Sequence, residues 1–107
     1  MQVVKYQLDE NVDTQVLKLP SDYDIMCVKK NYVDGKMCPC LYVLKYDTEP
    51  GGEDDVTLHF VQEFAHYPDT NQMDYIGEYV SGISYLDNKC EYRTFVFITY
   101  NVISAAV

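Results

Sequence analysis

Tryptophan is absent from the 107 residues, and glycine, proline and histidine are scarce, at five, four and two. Basic residues number eight against 17 acids, giving a formal charge of −9. A field of that sign repels phosphates and anionic headgroups, which argues against direct binding of DNA, RNA or a membrane surface. No apolar run approaches the ~20 residues a helix needs to cross a bilayer. The opening residues, Met1 to Lys5, lack the basic region, apolar stretch and small-residue site of a secretion signal. The expected setting is therefore the cytoplasm. There Cys27, Cys38, Cys40 and Cys90 are reduced thiols.

The motifs of chemistry are missing as well. The chain has no nucleophile elbow, no zinc-protease helix motif, no phosphate-binding glycine loop and no dinucleotide fingerprint. Cys38 and Cys40 flank Pro39, and this spacing puts both thiols on one face of a strand. It is not the spacing of a zinc knuckle or a redox pair, so buried thiols are expected and no metal or cofactor. His59 falls on the more polar side of its strand and His66 in a loop. Neither has a visible nucleophile or ligand partner. An enzymatic reading would rest on these two with Glu63 and Asp69.

What is present is apolar and aromatic. Apolar residues make up 48% of the chain, with 11 tyrosines and four phenylalanines. That is enough for one core in a single domain spanning 1–107. Turn signals recur at 9–13, at Pro20 to Asp22, at Asp34–Gly35, at 49–55, at 68–71 and at 87–89. Between them lie candidate strands at 2–8, 14–19, 24–33, 37–46, 56–63, 74–86 and 91–100. The sixth is interrupted at Gly77 or Gly82. Asp34–Gly35 is a hairpin turn signal, because glycine accepts the positive φ of a tight turn. Val56, Leu58 and Phe60 alternate with Thr57, His59 and Val61, the period of a strand with one buried face. Residues 95–98 are apolar on both faces, as in a central strand. No window carries a helical stripe, and 61–66 is too short for one. The reading is an all-β fold, a small antiparallel sandwich or open barrel of about seven strands. Its expected core includes Ile25, Val43, Leu58, Phe95, Phe97 and Ile98.

Asp47, Glu49, Glu53, Asp54 and Asp55 crowd into one short stretch. They do not fit the ligand spacing of a calcium-binding loop. They are expected to form an acidic loop facing a basic protein partner. Tyr32, Tyr67 and Tyr75 are expected to supply the anchors, since tyrosine buries a large rigid ring and keeps a polar tip.

Three stretches together resemble a family of short, uncharacterised phage proteins. They are 5–8 (Lys-Tyr-Gln-Leu) with 15–20 ending on Leu19 and Pro20; 25–28 with 41–44; and Tyr75-Ile76-Gly77 with 94–97. In that family a strand opens on Lys-Tyr-x-Leu, the next closes on Leu-Pro, and a Tyr-Ile-Gly step precedes the last strand. This chain departs from it after the fifth strand, where Gln62 to His66 replaces a Gly-Thr-Gly-His. It departs again where Ile98, Thr99 and Tyr100 replace an aromatic–His ending. The resemblance implies a phage origin and no assigned site.

With that origin, the expectation is a non-enzymatic inhibitor of a host nucleic-acid-handling defence complex, acting in the host cytoplasm by acidic, competitive protein binding. The analogy is with anti-CRISPR proteins, whose carboxylates stand in for phosphates. One alternative is a sponge for a small signalling nucleotide, held by tyrosines with Lys29, Lys30, Lys45 or Arg93. The other is a small hydrolase or nuclease. The apolar run through 91–107 adds an expected homodimer.

Overall fold

The computed structural model describes residues 1–46, 53–67, 72–84 and 90–100. Seven strands follow one another: β1 (Gln2–Gln7), β2 (Thr14–Pro20), β3 (Tyr23–Val33), β4 (Lys36–Lys45), β5 (Glu53–Gln62), β6 (Asp74–Ser84) and β7 (Cys90–Tyr100). Among the described residues there is no helix. Every pairing is antiparallel. One sheet has the order β1-β4-β3 and the other β2-β5-β7-β6. The two sheets pack together as a small sandwich and do not close into a barrel.

Local chemistry explains the elements. β3 and β4 are joined by Asp34 and Gly35, with φ of 51° and 81°. Val33 pairs Lys36 across this two-residue turn. Positive φ at both positions gives a turn whose twist matches that of the strands. Pro39 lies in a central strand, an unusual place for a residue without an N–H. It is tolerated because β1 has just ended there: Leu8 N donates to the Pro39 carbonyl at 2.9 Å and the chain then turns away. β6 is not broken at its glycines. It shifts register between Tyr75 and Gly77 and again between Val80 and Gly82, and continues along β7 through both bulges.

The core is built from alternate residues. Val43 and Leu41 from β4, Val28 from β3, Val56, Leu58 and Phe60 from β5, Tyr79 from β6, and Val96 and Ile98 from β7 are buried with Leu8 and Leu19. Ile25 packs against this cluster half-buried. Val43, Leu58 and Ile98 are thus core residues as expected. Phe95 and Phe97 are not. They point to the opposite, outward face of β7, half-buried. The strand carries two interleaved apolar sets. The interior takes the β-branched one because its register places Val96 against Phe60 and Ile98 against Leu58. Val96 leaves room for the bulkier Phe60.

A second correction concerns the acids. Glu53, Asp54 and Asp55 belong to β5, paired with Pro20, Leu19 and Lys18 of β2. They are not a free loop, and strand alternation splits them between faces. Asp47 and Glu49 lie outside the described residues, as do Asp69 and the apolar segment beyond Tyr100.

Candidate functional site

The outward face of the four-stranded sheet carries an unusual density of aromatic groups. Register aligns Thr14, His59, Phe97 and Tyr75 in one row across β2, β5, β7 and β6. The next row holds Val61, Phe95 and Glu78. On the other side lie Val16, Thr57 and Thr99. Tyr75 is 52% exposed. Its ring meets Phe97 edge-on with centroids 5.7 Å apart, and Phe95 at 6.5 Å. Both separations lie in the range where aromatic pairs attract. Among the described elements, no strand covers this face.

After Gln62 the chain reverses. Glu63 N donates to the Arg93 carbonyl and Ala65 N to the Gln62 carbonyl. The reversal lays Tyr67 over His59, with the phenol oxygen 2.6 Å from Nδ1 and the rings edge-to-face. Nε2 of His59 lies 2.9 Å from the Thr99 hydroxyl. Both ring nitrogens are therefore bonded, and burial pushes the imidazole below its ordinary pKa, toward the neutral form. At the turn itself Phe64 has φ of 67° and is 85% exposed. A bulky side chain in the left-handed region, pointing into water, is strained and unburied at once.

Charge surrounds the aromatic row. The Tyr75 hydroxyl donates to Glu78 Oε1 at 2.8 Å, a bond that keeps the phenol protonated and raises its pKa. Arg93 reaches Glu78 Oε2 and Glu91 Oε2, each at 3.5 Å. Asp55 pairs with Lys18 at 3.2 Å. Asp13 is close enough to Tyr67 to help raise its pKa, after the larger effect of burial.

The expected anchors are thus partly assembled. Tyr67 and Tyr75 come to the same face. Tyr32, 67% exposed, lies on the other sheet beside the hairpin turn. Of the acids, Asp55 lies on the outward face, Asp54 faces the other way, and Glu53 is exposed at the start of β5. Phe64, Glu78 and the outward setting of Phe95 and Phe97 were not foreseen. The double apolar alternation at 95–98 was the available signal for the last two.

The other candidate chemistry is dispersed. Lys30 pairs with Glu10 at 3.5 Å and lies 5.7 Å from the Tyr79 ring centroid. Lys29 is exposed on β3, Lys45 ends β4, and Arg93 is shared between two glutamates. Two clefts flank the 9–13 loop, of about 390 and 250 Å³. The first is lined by Gln7, Asp9, Glu10 and Cys38 among others, the second by Glu10, Asp13, Gln62 and Thr94. Neither is lined by a lysine or arginine, the side chains that pair most strongly with phosphate. All four cysteines are free thiols. Burial pushes the Cys40 thiol up. Among the described residues, no group of three or more histidines, cysteines or acids is placed to hold a metal ion. No described helix is long and apolar enough to cross a membrane.

Comparison with family models, with curated proteins and with solved structures finds no match to this chain.

Proposed function

We propose that this chain is a protein-binding module that docks the outward face of its four-stranded sheet onto a basic surface of another protein. The observation that carries the reading is the row of His59, Phe97 and Tyr75 with Phe95 beside it, bordered by Glu78, Glu91 and Asp55. Aromatic anchors at the centre and charges at the rim are the anatomy of a binding surface. Apolar surface rimmed by polar residues marks an interaction site. The formal charge of −9 favours a cationic partner and speeds the encounter.

The resemblance to short phage proteins sets the class of partner proposed: a host nucleic-acid-handling defence complex in the host cytoplasm. Its groove is blocked because the carboxylates compete with phosphates for the same lysines and arginines. On this reading the protein is not an enzyme. His59 serves as a bonded strut for Tyr67 and Thr99, not as a base.

The test is competition. Tagged protein is incubated with bacterial lysate, with and without excess duplex DNA, and retained proteins are quantified by mass spectrometry. The reading expects retained proteins to be basic, nucleic-acid-binding and displaced by DNA. Retention that is indifferent to DNA and to salt would contradict it.

A further inference from the structure

We propose that the corner formed by Tyr75 and Glu78 is an arginine-recognition site, taking a guanidinium of the partner against the open side of the Tyr75 ring and the Glu78 carboxylate. The inference rests on the docking reading above and names the chemistry at its centre.

Two features prepare the corner. The Tyr75 ring is held by Phe97 and Phe95, while the residue as a whole stays about half exposed to solvent. The Glu78 carboxylate is fixed by the Tyr75 hydroxyl at 2.8 Å through Oε1, which leaves Oε2 turned to its neighbours. A flat ring beside an oriented carboxylate matches a guanidinium, which stacks through its face and donates in its plane. An ammonium is a hydrated point charge and gains less from such a pair.

The corner already holds a cation weakly. Arg93, 43% exposed, reaches Glu78 and Glu91 at 3.5 Å each. Good charge-assisted bonds are shorter, about 2.7–2.9 Å. Two carboxylates thus share one guanidinium at stretched distances, and the group of three retains a net negative charge. A second guanidinium can settle on Glu78 while Arg93 remains with Glu91. An uncharged apolar group in the same place would desolvate Glu78 without compensation.

The whole chain is titrated calorimetrically with oligoarginine and oligolysine of equal length, with the Tyr75 ring signals followed by NMR. The arginine peptide is expected to bind roughly five- to tenfold more tightly, because only it stacks. Tyr75→Leu should bring the ratio close to one by weakening the arginine peptide more than the lysine peptide. Tyr75→Phe, which keeps the ring and frees the carboxylate, should reduce the ratio part-way, and it serves if the leucine variant does not fold. Equal affinities, or a ratio unmoved in the folded variants, would overturn the arginine site while leaving the docking face standing. Failure of both peptides to bind at low salt would overturn the docking reading with it.

Discussion

Gly77 of β6 lies against Val28 of β3 so closely that a Cβ at position 77 would stand 2.9 Å from the Val28 Cβ and 3.3 Å from its backbone nitrogen. This contact brings the two sheets together along one side. It falls at the first β6 bulge, where φ of Gly77 is 156°. The same bulge turns Tyr75 outward beside Phe97 while Ile76 packs against the core. The glycine thus sets both the sheet separation and the aromatic row. Gly77→Ala is expected to destabilise the fold by about 1–3 kcal/mol through overpacking alone. Gly35→Ala meets no atom within 4 Å and bears only the left-handed backbone cost of about 1–2 kcal/mol. Urea denaturation of both variants should place Gly77→Ala below Gly35→Ala. The reverse order would mean that the sheets can separate at this point.

Phe64 offers the opposite sign. Asparagine tolerates the left-handed region better than phenylalanine, and little buried area is lost from a ring that is 85% exposed. Phe64→Asn should raise stability by about 1 kcal/mol. A lowered melting temperature would show that the ring contributes packing.

The His59 imidazole gives stability a pH dependence whose sign follows from its burial. Its folded pKa lies below the ordinary 6.5, so the unfolded chain takes up a proton first as pH falls. Stability from this group is complete above about pH 6.5 and is lost as pH falls toward and through the depressed value. His59→Gln should flatten that part of the profile. An unchanged slope between about pH 7 and 5 in the variant would assign it to other groups.

Neutralising Glu53, Asp54 and Asp55 together to Gln, Asn and Asn should slow association with a basic partner roughly several-fold, with little change in dissociation. Stability should change little, because the Lys18–Asp55 pair is exposed and such pairs contribute weakly. Unchanged association and salt dependence would remove this end of β5 from the encounter.

The sequence made the strands legible because glycine, proline and aspartate punctuate them and because Val56, Leu58 and Phe60 alternate cleanly. Asp34 and Gly35 fixed one hairpin outright. The site was harder to read. In 95–98 both alternating sets are apolar, and only pairing with β5 decides that Val96 and Ile98 go in while Phe95 and Phe97 go out. Glu53 to Asp55 looked like loop because acids are poor strand formers. Pairing with β2 overrode that preference, as sheet context commonly does. The meeting of Tyr67 with His59 and of Tyr75 with Phe97 depends on a chain reversal and a bulge, neither of which has a periodic signature.

The central claim, that the outward face of the four-stranded sheet is the binding surface, is tested most directly by comparing two tyrosines. Tyr75→Ala removes the centre of the aromatic row, and Tyr32→Ala removes a still more exposed ring from the other sheet. Each variant, with its fold checked by circular dichroism, is presented to the DNA-displaceable proteins captured by the unaltered chain. The account predicts that Tyr75→Ala weakens binding by at least about 2 kcal/mol, as expected for an anchor residue, while Tyr32→Ala binds normally. Normal binding by Tyr75→Ala, or a loss confined to Tyr32→Ala, would contradict it.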